Sequence, residues 1–145
     1  MTWVRKSALV RYPARQMFEL VADIEAYAEF LPWCANSRIL RRLDERRVEA
    51  ELKIAKGGFH KSFATQNHVV DDERIDMTLL NGPFRRLEGS WLFLPLREDA
   101  SKISLELEFE LDTGLAALAF GAVFNQICNT MVGSFTQRAK EVYGE

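Results

Sequence analysis

The stretch "ISLELEFELDTGLAALAFGAVFNQICNTMVGSFTQRAKEVY" (103–143) changes its hydrophobic period partway along. Up to Leu111 it alternates, with Ile103, Leu105, Leu107, Phe109 and Leu111 against Ser104, Glu106, Glu108 and Glu110. A period of two is the mark of a strand with one apolar face. From Thr113 onward the apolar residues recur every three or four positions instead. Phe120, Phe124, Ile127, Met131, Phe135, Ala139 and Val142 make one stripe on a helix, and Thr113 is placed to cap its start. At 1.5 Å per residue that helix is about 40–45 Å long, enough to lie across a small sheet. A one-faced sheet needs a cover, and the stripe supplies one.

Working back toward the N-terminus, the period of two recurs. In "RVEAELKIAK" (47–56), Val48, Ala50, Leu52 and Ile54 alternate with charged residues. Gly57-Gly58 is a hairpin turn, and the glycines need no phosphate to explain them. "FHKSFATQNHVV", "RIDMTLL" and "RRLEGSWLFLPL" are further strands, separated by Asp71-Asp72-Glu73 and by "NGPF". "TWVRKSALV" is a first strand. "YPARQMFELVADIEAYAEFL" between them is helical, with Pro13 in the first turn, Asp23 between two short helices, and Pro32 as the stop. The expected fold is α+β: a curved antiparallel sheet of about six to seven strands around a long C-terminal helix, with two short helices after the first strand.

The chain has 145 residues, suited to one core, and residues 1–145 are read as a single domain. The net charge of −2 argues against a general nucleic-acid binder and against DNA as a partner. Charge is uneven: Arg5, Lys6, Arg11 and Arg15 stand in an N-terminal stretch without acids, while residues 98–112 hold six acids against Lys102. No segment is expected to reach the roughly 20 apolar residues of a membrane span. Two cysteines make no disulfide framework. The expected location is cytoplasmic, peripheral to the inner membrane where a lipid is handled.

Three stretches resemble one known family. "YPARQMFELVADIEAYAEFLPWC" (12–34), "GPFRRLEGSW" (82–91) and "MVGSFTQRAKEVYG" (131–144) are similar to the START-like helix-grip superfamily, in its coenzyme Q-binding and polyketide cyclase/dehydrase-like branch. The branch includes mitochondrial coenzyme Q-binding proteins and bacterial ribosome association toxins. The resemblance implies an apolar cavity between sheet and helix, and non-catalytic binding of ubiquinone or a related polyprenyl lipid in support of respiratory quinone function. As the alternative, it implies binding to the large ribosomal subunit that blocks subunit joining. Implied partners are a hydrophobic small molecule, the ribosome and a transient membrane surface; no cofactor is required.

Periodicity alone fits a solid core, whereas the resemblance implies space within it. The sheet is then expected to line the cavity with Val48, Ala50, Leu52, Phe63, Thr65 and Asn67, and with Met77, Leu87, Trp91, Phe93, Leu107 and Phe109. The helix adds Phe120, Phe124, Ile127 and Met131. Small residues at Ala50, Ala64, Gly89 and Gly121 are read as leaving room. Thr65 and Asn67 suit a ligand with a carbonyl head and an apolar tail, though a water could satisfy them too. The entrance is expected at Phe30, Leu31, Pro32 and Trp33 together with Gly82, Pro83 and Phe84. Arg85, Arg86, Arg41 and Arg42 are either solubilising charge or contacts for lipid heads or ribosomal RNA phosphates.

Catalytic readings are weaker. His60 and His68 stand roughly 26 Å apart on an extended strand, too far to share a metal. Cys34 has no base near it in sequence, and its aromatic neighbours favour the neutral thiol. Cys128 is read as packing. Glu106, Glu108 and Glu110 are read as a solvated face that also protects a strand edge.

Overall fold

In the computed structural model, which describes residues 2–144, strand β1 (Thr2–Val10) leads into helix α1 (Ala14–Ala22). A 3-10 turn (Ile24–Ala26) and the single-turn helix α2 (Tyr27–Phe30) follow. Then come β2 (Cys34–Arg42), β3 (Arg47–Lys56), β4 (Phe59–Val70), β5 (Arg74–Asn81), β6 (Phe84–Arg97) and β7 (Ala100–Leu111), and helix α3 (Leu115–Tyr143). All seven strands form one antiparallel sheet in the order β1-β7-β6-β5-β4-β3-β2. Every neighbour except the β1–β7 pair is joined by a hairpin. The segment from α1 through α2 instead carries the chain from one edge of the sheet to the other.

The curved sheet and α3 have the architecture read from the sequence. Gly57 and Gly58 both take positive φ, as a two-residue hairpin turn between β3 and β4 requires. Gly82 closes the β5–β6 turn at φ 148°, so tight that a Cβ there would stand 2.6 Å from the Cβ of Phe63. Between β4 and β5 the register slips by one at Leu80, which is left outside the ladder and exposed.

Several expectations are corrected. Gly114, not Thr113, holds the N-cap position of α3, with no side-chain cap bond. Val142 is exposed, and Cys128 and Val132 join the buried stripe. β7 lies between β1 and β6, so Glu106, Glu108 and Glu110 guard no edge. An 18-residue window of α3 reaches a mean hydropathy of 1.5, long and apolar enough by composition to cross a bilayer, where no such segment was expected. The helix lies across the sheet instead, and Leu115 and Leu118 at its N-terminal end are 86 % and 71 % exposed.

Two packed regions bracket the middle of the helix. At one end, Phe135 meets the rings of Tyr27, Phe30 and Trp91 at centroid distances of 5.3, 5.3 and 5.2 Å. α1 fills the same end, its Phe18 edge-on to Phe93 and its Met17 fully buried. At the other end Phe84 packs among Phe63, Phe109, Phe120 and Phe124.

Candidate functional site

Between those two regions the sheet and α3 stay apart. A cavity of about 70 Å³ remains there, walled by Ala50, Leu52, Phe63, Thr65, Asn67, Met77, Leu87, Leu105 and Leu107 from the sheet. Phe124, Ile127, Cys128 and Met131 wall it from α3, and Ile24, Tyr27 and Trp33 from the short helical segment and the turn after it. Most of these side chains are buried; Leu52, Met77 and Met131 keep partial exposure.

Five residues expected in this wall stand elsewhere. Trp91 and Phe93 belong to the packed end with Phe135 and Phe18, and Phe109 and Phe120 to the aromatic cluster around Phe84. Val48 is buried farther along β3, opposite Asn67. Strand parity, and for Phe120 the helical stripe, puts each of them on the correct face, but position along the element decides whether it meets the opposite layer or space. The small residues also divide. Ala50 borders the cavity. The room at Gly89 is taken by Leu107, whose Cδ1 would be 2.6 Å from an added Cβ, and Leu111 occupies the room at Gly121. Ala64 is buried outside the wall.

The polar lining is small and specific. Thr65 donates its hydroxyl to Asn67 Oδ1 at 2.8 Å, both side chains being buried. That leaves the Asn67 NH2 as the donor it offers. Tyr27 donates its hydroxyl to the Val21 carbonyl, and burial pushes its phenol upward, so it stays neutral. Trp33 Nε1 is buried and has no hydrogen-bond partner. An unsatisfied buried donor costs about 1–3 kcal/mol.

The sequence "FLPWC" explains how Trp33 comes to be here. Leu31 N–H bonds Tyr27 O at 2.9 Å and Cys34 N–H bonds Leu31 O at 3.0 Å, a turn with Pro32 and Trp33 at its centre. β2 starts at once at Cys34, and Ala55 N–H on β3 bonds the Trp33 carbonyl at 2.8 Å. Trp33 is thereby held from both sides and directed inward. The expected entrance is consequently split. Leu31 and Phe84 are buried in the core, Trp33 is in the cavity wall, Phe30 is half-buried against Phe135, and Pro32 and Gly82 are exposed with Pro83 half-buried.

The charged candidates divide by their pairing. Arg85 pairs with Glu110 at 3.4 Å, and Arg86 with Glu88 at 2.6 Å and Glu108 at 3.7 Å. A phosphate approaching them meets three carboxylates. Arg41 pairs with Glu49 at 3.4 Å. Arg42 and Arg46 form no ion pair among the described residues, and both are exposed at the β2–β3 hairpin on the open edge of the sheet.

As for catalysis, Cys34 donates its thiol to Asn36 O at 3.3 Å and burial pushes its pKa up, which disfavours the thiolate. Burial raises Cys128 further. His60 and His68 are exposed on β4. No group of three or more His, Cys, Asp or Glu among the described residues is placed to hold a metal ion.

Comparison with known proteins agrees with this geometry. The chain is 46 % identical to the ribosome association toxin RatA of Vibrio cholerae over 145 residues, the full length of both. It is 29 % identical to the mitochondrial coenzyme Q-binding protein COQ10 of Dictyostelium discoideum over 138 residues, covering 93 % of this chain and 67 % of that one. The Zhui aromatase/cyclase of Streptomyces sp. R1128 superposes with a TM-score of 0.85 at 17 % identity, covering 96 % and 93 % of the two chains, a likeness of fold. Residues 10–136 match the family model described as polyketide cyclase / dehydrase and lipid transport. A curved sheet gripping a C-terminal helix over an apolar cavity, with relatives aligned from end to end, places this chain in the polyketide cyclase / dehydrase and lipid transport family, with a START-like helix-grip fold.

Proposed function

We propose that the protein is a non-catalytic, single-domain binding protein that takes a hydrophobic ligand, a polyprenyl quinone such as ubiquinone or a related lipid, into the cavity between sheet and α3. The observation that carries this reading is the apolar cavity with a few converging polar groups, Thr65, Asn67 and Trp33. Its volume of about 70 Å³ is short of the about 300–1,000 Å³ of ligand pockets. Loading therefore requires the wall to move. Met77 and Met131, both partly exposed, are unbranched and adaptable and can yield to an occupant. Each buried methylene contributes about 0.8 kcal/mol, so a few isoprene units supply the affinity once the wall opens. The exposed Leu115 and Leu118 offer apolar surface for a transient membrane contact that delivers the ligand. In this reading the protein is cytoplasmic and peripheral to the inner membrane, with no catalytic residue and no required cofactor.

A second reading, binding to the large ribosomal subunit with block of subunit joining, is favoured by the full-length relatives named ribosome association toxin. Arg42 and Arg46 at the β2–β3 hairpin are its proposed phosphate contacts.

The two readings separate in one pair of measurements. Organic extracts of gently purified protein are analysed by mass spectrometry for quinones and lipids, and the same protein is sedimented with ribosomal subunits at rising salt. A co-purifying quinone or lipid upholds the first reading. Its absence, together with salt-sensitive sedimentation that Arg42→Glu/Arg46→Glu abolishes, overturns the first in favour of the second.

A further inference from the structure

We propose that Trp33 Nε1 is the donor that fixes the head of the cavity's ligand, so that the site selects molecules with an acceptor oxygen and binds them head first toward the α2–β2 corner. The inference rests on the ligand-binding reading above and deepens it. Trp33 is 4 % exposed, lies in the cavity wall, and is the one residue among those described whose buried side-chain nitrogen or oxygen has no partner. Phenylalanine would fill most of the same wall without stranding a donor, so the indole N–H is informative about what belongs next to it. The turn around Pro32 and the Ala55 N–H bond to the Trp33 carbonyl fix the backbone that carries it.

The neighbouring polar groups are already committed. Thr65 spends its hydroxyl proton on Asn67, and Tyr27 spends its own on Val21. The uncommitted polar groups on the wall are thus chiefly N–H donors, from Trp33 and Asn67, and donors call for carbonyl or ether oxygens on the occupant. The apolar remainder of the wall is left for the tail.

The test uses the full chain and two probes with a six-carbon ring and the same tail, 2-decyl-1,4-benzoquinone and decylbenzene, the first with two ring carbonyls and the second with an aromatic ring and no acceptor oxygen. Binding is measured for the wild type and for Trp33→Phe. The wild type is expected to prefer the quinone by about tenfold, and Trp33→Phe to bring the ratio near one through loss of quinone affinity. An unchanged ratio in Trp33→Phe overturns the assignment to Trp33. Failure of both probes to bind the wild type overturns the ligand-binding reading itself. A measurement on the wild type removes dependence on the variant's folding. In a 1H–15N spectrum the Trp33 indole resonance is expected to move downfield with the quinone and not with decylbenzene. Equal responses to the two probes overturn the proposal.

Discussion

Two successive stretches of α3 face the same sheet and meet it differently. Around Phe135 and Ala139 the helix is met by Trp91, by Tyr27 and Phe30, and by α1, and no space is left. Around Ile127 and Met131, one to three turns earlier, it faces Ala50, Thr65 and Asn67, and the cavity remains. The helix presents Phe135 and Ala139 in the first stretch and Ile127 and Met131 in the second. The difference comes from the opposite wall, where large aromatic side chains give way to small and polar ones. A close-packed interior is therefore the rule at one end of this core and interrupted in its middle.

The largest effect that would sharpen this contrast is Phe135→Ala. It removes a ring that touches three others and is expected to cost about 3–5 kcal/mol, read as a shift of the urea midpoint. A loss of under about 1 kcal/mol would mean that the packed end can collapse around the gap. Next come two matched enlargements. Ala139→Leu, at a fully buried site, is expected to cost about 1–3 kcal/mol, whereas Ala50→Leu extends into the cavity and should cost less while weakening the binding of 2-decyl-1,4-benzoquinone. Equal costs at the two sites would remove the distinction between the regions.

The third prediction concerns pH. Burial raises the Cys128 thiol in the folded protein above its unfolded value of about 8.5. The folded state then holds this proton more tightly, so the contribution is complete below pH about 8.5 and is lost as pH rises, about 1–2 kcal/mol by pH 10. In melting curves from pH 8 to 10, Cys128→Ala should show a shallower alkaline decline than the wild type. Parallel declines would show that the thiol does not govern it. The smallest effect is at the corner of the packed end. Arg138 lies 4.8 Å over the Phe30 ring and 3.3 Å from Glu29, so Arg138→Met should cost about 0.5–1 kcal/mol and less in high salt.

Much of this was legible in the chain. Periods of two and of three to four located the strands and α3, because a side chain's direction on a strand or helix follows from its index alone. The resemblance carried by "FLPWC" and "GPFRRLEGSW" supplied the expectation of a cavity. Thr65 and Asn67 were recognisable as polar residues on an apolar face. Periodicity is silent about distance along an element, so it places Trp91, Phe93, Phe109, Phe120 and Val48 in the wall as readily as Ala50 and Leu52. Ile24, Tyr27, Leu105 and Cys128 join the wall without being expected there. A buried position on the α1–α2 crossing carries no periodic signal that points to the cavity, and Cys128 is adjacent to Ile127 on the helix face that turns inward. The pairing of Arg85 and Arg86 with carboxylates was also hidden, since it depends on the β6–β7 register.

The order of elements, the inward face of each strand and the stripe of α3 were determined by the sequence itself, for they follow from local backbone geometry. Where sheet and helix touch and where they part was decided only in three dimensions. So was the change in Trp33 from expected gatepost to walled-in donor without a partner. The physical reason is that a cavity and an orphaned hydrogen bond are differences between what a side chain offers and what distant residues return. Those returns come from chain segments brought together only when the sheet has curved around the helix.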